Sequence, residues 1–196
     1  MLVAAAALTA CTDQEPALPV PPAAVEPEIA LPSDPLTSLV PAPGEVPGGM
    51  IPLLTGSGKR DAAAVAAYST DPAAAAAGLQ KNGFQSAYVA QYADPSSPRV
   101  LSVVVTRFAT PAGAKADFDG DLAASAGEPV PVPVIGEAAQ ARRQALPGGT
   151  AGELVTLRFR QGRHTWLLAY GDRPQADLQV AIGLARLLVD RARTTA

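Results

Sequence analysis

The chain is poor in the residues from which most active sites are built. Its 196 residues include one cysteine, Cys11, and one histidine, His164, and aromatic residues make up only 5% of the total. A single cysteine excludes an internal disulfide, and one cysteine with one histidine cannot supply the ligand set that zinc prefers. We therefore expect neither a metal site of this kind nor a bound cofactor.

Basic residues are missing from one long stretch of the chain. Residues 12–58 carry six of the 18 acidic residues and no Lys or Arg, so the remainder is weakly basic although the net charge is -3. Nucleic-acid binding requires a concentrated basic face. Nucleic acid is therefore not an expected partner.

The N-terminus has the pattern of an export signal. Residues 2–9 form an uncharged apolar run, which is far shorter than the roughly 20 residues that a spanning helix needs and fits the hydrophobic centre of a signal peptide. The run ends in Leu8-Thr9-Ala10-Cys11, which resembles the lipobox of bacterial lipoproteins. The resemblance implies cleavage before Cys11, lipidation of its sulfur, and anchoring on the extracytoplasmic face of the cell membrane. The alternative is a buried apolar segment with an ordinary core cysteine.

A proline-rich stretch follows Cys11. Eleven prolines lie between Pro16 and Pro52, and each removes a backbone donor and fixes φ, so neither helix nor sheet can propagate. Residues 12 to about 40 are predicted to be a disordered, partly polyproline-II spacer. The more apolar residues 36–54 are a candidate irregular arm that packs on the domain. The predicted organisation is a signal peptide at 1–10, a lipidated cysteine and linker at 11–44, and one domain at 45–196.

The rest of the chain alternates between helical and strand patterns. Asp71-Pro72 and Thr110-Pro111 each predict the start of a helix, and Gly83 predicts a helix end. Residues 84–92 and 100–108 predict a hairpin. Residues 137–146 are ambiguous, but a strand is favoured because Pro147-Gly148-Gly149 is a turn and the next run clearly pairs. Together with the run that follows, this strand would form a three-stranded meander. Asp172-Arg173-Pro174 predicts the start of the last helix. The expected fold is α+β, a mainly antiparallel sheet of about five strands with helices packed on one face.

Three patterns together resemble the uncharacterised secreted lipoproteins of actinobacteria, of mycobacterial type. They are the lipobox with its Ala/Pro-rich tether; GLQKNGF, YVAQYADP and VLSVVVTRFATPAGA; and LVTLRFRQGRHTWLLAYGDRP. The layout is also similar to sensor-like and PsbP-like extracytoplasmic domains. The resemblance covers about two thirds of the chain and implies an extracytoplasmic α+β domain, but no known reaction.

Catalytic patterns are weak. His164 is the only imidazole base, no serine lies in a G-x-S-x-G frame, and GSGKR at 56–60 lacks the full phosphate-binding pattern. Asp117, Asp119 and Asp121 have a calcium-loop spacing, with Glu128 as the last ligand, but Leu122 occupies the position where that loop needs glycine. A solvated helix face is the expected role of these carboxylates.

Aromatic and basic residues supply two candidate binding surfaces. Tyr88, Tyr92, Trp166 and Tyr170 all lie on predicted strands, where they form either a ligand groove or the packed face of the sheet beneath the helices. A basic patch on the other face would meet anionic lipid head groups or cell-wall polymer, and the alternative is an ordinary solvated face. The residues of this patch are Arg142, Arg143, Arg158, Arg160 and Arg163.

These observations favour a membrane-anchored, non-enzymatic binding or interaction module of the cell envelope, with an envelope lipid, polymer or protein as partner. The alternatives are an envelope hydrolase that uses His164 and a purely structural envelope component. A lipid-sized pocket beneath the helices would favour the binding module.

Overall fold

The computed structural model describes residues 30–69, 71–120, 127–146 and 151–194. The helices and strands in this part of the chain are, in order, β1 (Ile51–Pro52), β2 (Gly58–Arg60), α1 (Ala62–Ala66), α2 (Pro72–Lys81), β3 (Phe84–Ala93), β4 (Val100–Phe108), α3 (Pro111–Gly120), β5 (Glu128–Val130), β6 (Ala138–Ala145), β7 (Glu153–Gln161), β8 (His164–Asp172) and α4 (Leu178–Thr194).

Local sequence explains the ends of α2. The side chain of Asp71 accepts a hydrogen bond of 3.0 Å from the backbone N–H of Ala74, and Pro72 is the first helical residue. Both features satisfy or remove backbone donors that a helix start leaves without partners. Gly83 follows the helix with a φ of 79°, a conformation that favours glycine. The predicted limits of this helix are therefore confirmed.

The strands form one antiparallel sheet in the order β1-β3-β4-β8-β7-β6-β5, and β2 also pairs with β3. The predicted hairpin is β3–β4, and the predicted meander is β6–β7–β8. The two units join through the pairing of β4 with β8, from Val100 opposite Gly171 to Arg107 opposite His164. Residues 137–146 form a strand, as favoured from the sequence.

One face of the sheet, here called the core face, carries the large apolar side chains. Trp166 and Phe159 stack with ring centroids 5.1 Å apart, and α4 covers β7 and β8. The helix buries the stripe that its sequence predicts, including Ile182, Ala185 and Leu188. The main hydrophobic core of the described residues therefore lies between α4 and this face.

The arm, residues 30–50, covers the rest of the core face. Leu36, Leu39 and Val40 are at most 4% exposed and belong to the main core. The expectation that part of 36–54 packs on the domain is therefore met. The packed region also begins well before residue 45, where the sequence analysis placed the start of the domain, because these three apolar side chains fill space that α4 leaves open.

The opposite face of the sheet, here called the cleft face, is more polar and is covered by α1, α2 and α3. A second, smaller core cluster lies there and includes Leu79, Phe108 and Ala114. The predicted α+β class with an antiparallel sheet is confirmed, but helices cover both faces rather than one. Along each strand, alternate residues point to opposite faces, and β4 and β8 carry apolar residues on both.

Two further details differ from the sequence analysis. The sheet has eight strands rather than about five, because β1, β2 and β5 are only two or three residues long and show no alternation. These strands form by pairing with the edges that β3 and β6 offer. The last helix begins at Leu178 rather than at Pro174; the carboxylate of Asp177 accepts a 2.8 Å hydrogen bond from the N–H of Gln179 at its first turn.

Candidate functional site

A cavity lies between the cleft face and the helices that cover it. Its volume is about 590 Å³, within the range of roughly 300–1,000 Å³ that is usual for small-molecule sites. Strands β4, β8, β7 and β6 form its floor, α1 and α2 form one wall, and α3 forms the other.

Small side chains in the wall explain why this cavity exists. Helix α2 has the sequence PAAAAAGLQK, and Leu79 is its one buried residue. Ala74, Ala75 and Gly78 line the cavity, and these residues are too short to reach the sheet. A helix with Leu or Ile at those positions would fill the same space with its own side chains.

The floor changes character from one strand to the next. Val104 on β4 pairs with Leu167 on β8, which pairs with Arg158 on β7, which in turn pairs with Gln140 on β6. All four residues line the cavity. This row of the floor is therefore apolar on β4 and β8 and polar on β7 and β6, and the neighbouring row places Thr106 opposite Thr165 on β4 and β8.

A buried ion pair lies at the centre of the cleft. Asp117 on α3 lies 3.5 Å from the guanidinium of Arg158, and it accepts a 3.3 Å hydrogen bond from the hydroxyl of Thr165. Arg158 is 8% exposed, and its guanidinium carbon lies 5.9 Å from the ring centre of Phe118. A buried cation needs a partner of opposite charge, and α3 supplies one in Asp117 together with the ring of Phe118.

Gln140, another polar residue of the floor, has a buried amide nitrogen. The Nε2 atom of Gln140 has no hydrogen-bond partner among the described residues. A buried donor without a partner costs about 1–3 kcal/mol, and such groups often mark the place of a water or a ligand. Gln140 is thus a candidate contact for a molecule in the cleft.

The four aromatic residues proposed as a groove lie on the opposite side of the sheet. Tyr88, Tyr92, Trp166 and Tyr170 are at most 2% exposed and belong to the main core. These residues therefore lie in a packed face of the sheet, as in the second alternative above, and the arm covers this face together with α4. Burial, the largest cause, raises the pKa of Tyr170 to about 12, and its hydroxyl donates to Asp172.

Three of these aromatics hold the arm by its main chain. The Tyr88 hydroxyl donates to the carbonyl of Pro32 at 2.9 Å, and the Trp166 indole donates to the carbonyl of Leu39 at 2.9 Å. The Tyr92 hydroxyl donates to the carbonyl of Pro41. An irregular, proline-rich segment forms few hydrogen bonds within its own backbone. These three side chains therefore donate to arm carbonyls that would otherwise be buried without a hydrogen bond.

His164 lies at the start of β8, away from the cleft. Burial, followed by the charges of Arg163 and Arg107, lowers its pKa to about 4, so the imidazole is neutral at physiological pH. Its ring lies 5.7 Å from that of Trp166. Within the described ranges, no carboxylate forms a hydrogen bond with the imidazole of His164. The structure therefore does not pair His164 with an acid that would orient its ring.

The predicted basic patch is divided between several places. Arg142, Arg158 and Arg160 share the cleft face, and the first two line the cavity. Arg143 points to the core face and pairs with Glu153 at 2.8 Å, whereas Arg163 lies exposed in the β7–β8 turn.

No group of three or more potential metal ligands occurs among the residues that the structure describes. Asp119 pairs with Lys115 on the surface of α3, and Asp121 lies outside the described residues, as does Cys11. No helix within the described ranges has the length and hydropathy to cross a membrane.

The fold has a solved counterpart. The structure is similar to the extracellular domain of PknH from Mycobacterium tuberculosis, with a TM-score of 0.51 and 13% sequence identity, over 75% of this chain and 84% of that one. At this identity the similarity concerns the fold alone. No protein-family model matches the chain, and no curated protein matches it. The expected similarity to an extracytoplasmic domain is thus confirmed for the fold, and membership in a lipoprotein family stays a prediction.

The sequence analysis did not identify the cleft as a site. Its floor residues were assigned separately, Arg142 and Arg158 to a basic patch and Thr156 and Thr165 to no role. One signal was available: an Ala-rich helix beside strands with Thr and Arg on one face predicts a wall that cannot fill the space above a polar floor.

Proposed function

We propose that the protein is an extracytoplasmic binding module that holds a small ligand in the cleft and is anchored to the cell membrane through Cys11. The observation that carries the binding role is the cavity of about 590 Å³ on a preformed sheet floor, with apolar walls and a few convergent polar groups. Sites for small molecules have this composition. A pocket beneath the helices favours binding over a purely structural role, because a structural component has no need of an open cavity.

A binding role is better supported than hydrolysis. His164 is not among the residues that line the cavity, although its neighbour Thr165 is, and with a pKa of about 4 it is a weak proton acceptor at neutral pH. The charged pair that does line the cleft, Asp117 and Arg158, has the geometry of a structural contact. The fold similarity to an extracellular domain fits this proposal.

Filling the cavity tests the binding role. A Cβ atom added at Gly78 meets nothing within 4 Å, so Gly78→Leu places a branched side chain in the cleft without a backbone clash. Gly183→Leu is the matched control, because Gly183 is exposed on α4 and its added Cβ also meets nothing. Both changes replace a helical glycine and gain up to about 1 kcal/mol of helix propensity.

The probe is the neutral fluorescent dye N-phenyl-1-naphthylamine, titrated into the full chain carrying Cys11→Ser, which cannot be lipidated. We expect saturable binding that Gly78→Leu weakens at least tenfold and Gly183→Leu leaves unchanged. Equal binding by all three proteins would contradict a binding role for the cleft.

Lipid anchoring is tested separately in cells. We expect the protein with Cys11 to partition into the detergent phase of a phase separation and the Cys11→Ser protein to partition into the aqueous phase. The mature protein should also begin at Cys11. Retention of the first ten residues on the mature chain would refute the anchor and leave the cleft unaffected.

A further inference from the structure

The cleft has two chemically different ends. The floor at the β4–β8 end has Val104 opposite Leu167, and the adjoining wall adds Leu79 and Ala75. The next row of this floor, Thr106 opposite Thr165, adds two buried hydroxyl groups. Across the sheet, the β7–β6 end consists of Arg158, Gln140 and a second row in which Thr156 pairs with Arg142. Neighbouring strands lie about 4.8 Å apart, so the outer strands of this floor, β4 and β6, are about 14 Å apart, and the two ends meet where β8 pairs with β7.

The polar end is rich in hydrogen-bond donors. Guanidinium groups carry donors and no acceptor, and Arg142 and Arg158 both line the cavity. The Nε2 donor of Gln140 is buried with no partner among the described residues. Among the described residues, Asp117 on α3 brings a carboxylate to this region, where it accepts from Thr165 and contacts Arg158. The carboxylate of Asp71 also lines the cavity and caps α2. A ligand group that accepts hydrogen bonds suits this end better than one that donates them.

The position of Arg142 favours an acidic group there. Its Nη1 atom donates to the carbonyl of Gly127 at 2.8 Å, which holds the guanidinium at the β6 edge of the cleft. Its side chain is half-buried, so a ligand can contact it while part of the charge stays hydrated. Contacts between a guanidinium and a carboxylate or phosphate are among the stronger hydrogen bonds in proteins because both partners are charged.

We infer that the ligand of the cleft is an acidic amphiphile, with an unbranched apolar body over β4 and β8 and a carboxylate or phosphate head at Arg142, Arg158 and Gln140. This inference rests on the proposed binding function and adds the chemical class of the ligand. The apolar body lies against Leu79 and the alanines of α2, and the head occupies the donor-rich end.

Isothermal titration of the Cys11→Ser protein tests the ligand class with compounds that share one ten-carbon chain. The compounds are decanoate, decyl phosphate, decanol and decylamine, each below its aggregation concentration. We expect decanoate or decyl phosphate to bind at least tenfold more tightly than decanol, and decylamine to bind most weakly. The ratio between the first two compounds identifies which acidic head is preferred.

Variants locate the head group. Arg142→Gln is expected to weaken binding of the acidic compound about tenfold and to change decanol binding much less, because it removes the charge and keeps a shorter polar side chain with a hydrogen-bond donor. Arg163→Gln, in the exposed turn, is the charge-matched control and should change neither.

The outcomes separate this inference from the proposed function. If decanol binds as tightly as the acids, or if Arg142→Gln has no effect, the acidic class is wrong while a Gly78→Leu-sensitive cleft still binds apolar molecules. If none of the four compounds binds while the naphthylamine probe does, the amphiphile inference fails alone. If neither the probe nor any amphiphile binds, the binding function itself fails.

Discussion

The arm offers the sharpest test of the packing described above. Leu39 is 4% exposed, although it lies in a stretch whose proline content is typical of a spacer. Replacing a buried leucine by alanine costs about 2–5 kcal/mol, because apolar contacts are lost and a cavity remains. In a chain of this size each kcal/mol lowers Tm by roughly 2–4 °C. We therefore expect Leu39→Ala to lower Tm by roughly 4–20 °C.

The matched control for this change is Leu54→Ala. Leu54 follows the same arm, but it is 46% exposed, and surface substitutions usually change stability by no more than about 0.5 kcal/mol. Urea unfolding followed by tryptophan fluorescence suits the comparison, since Trp166 is the one tryptophan and donates to the carbonyl of Leu39. If Leu39→Ala and Leu54→Ala unfold at the same urea concentration, the arm is not part of the core and the reasoning is refuted.

Three further predictions concern stability. Trp166→Phe removes the donor to the Leu39 carbonyl and should cost about 1–3 kcal/mol for the buried carbonyl left without it. Tyr68→Phe, on an exposed ring, is the control, and urea unfolding of both is followed by circular dichroism because Trp166→Phe removes the one tryptophan. Gly136 has a φ of 62°, and an added Cβ would lie 2.4 Å from the Arg160 carbonyl oxygen, so Gly136→Ala should destabilise the fold by more than about 1 kcal/mol. The control is Gly44→Ala, whose added Cβ meets nothing and which should be neutral. Equal urea midpoints for the two variants would show that the backbone at Gly136 does not require glycine. Burial and the nearby Arg163 and Arg107 lower the pKa of His164 from 6.5 to about 4. The unfolded chain therefore binds a proton at His164 more readily than the folded chain, and the free energy of unfolding decreases as the pH falls from 6.5 to about 4. Between pH 7 and pH 4 the Tm of His164→Gln should fall less than that of the parent, and parallel curves of Tm against pH would show that His164 does not contribute.

Much of the fold could be predicted because the relevant signals are local. Asp71-Pro72 and Gly83 give the ends of α2 through capping and backbone conformation, which depend on a few neighbouring residues. The alternation of Val155, Leu157 and Phe159 predicts a strand with one buried face for the same reason. The short strands β1, β2 and β5 could not be predicted, because two or three residues show no period and become strands only beside an existing edge.

The candidate site was harder to predict, since its residues come from distant parts of the chain. Asp117 and Arg158 are 41 positions apart and meet because α3 lies over β7 and β8. The periodicity of β7 places Arg158 on the face opposite Leu157, but it does not reveal which helices cover that face. The same limit applies to the aromatic residues. Their positions on strands could be predicted, but their contact with the arm could not.

The amino-acid sequence alone determined the local conformations: where helices begin and end, which strands alternate, and that the N-terminal residues carry a lipobox-like pattern and many prolines. Tertiary structure decided which surface stays open. Long side chains of α4 and the arm fill the core face, whereas the alanines and glycine of α2 stop short of the sheet and leave a cavity above Val104, Leu167 and Arg158. Whether a space is filled depends on the sizes of side chains that meet from both sides, and only the folded chain brings them together.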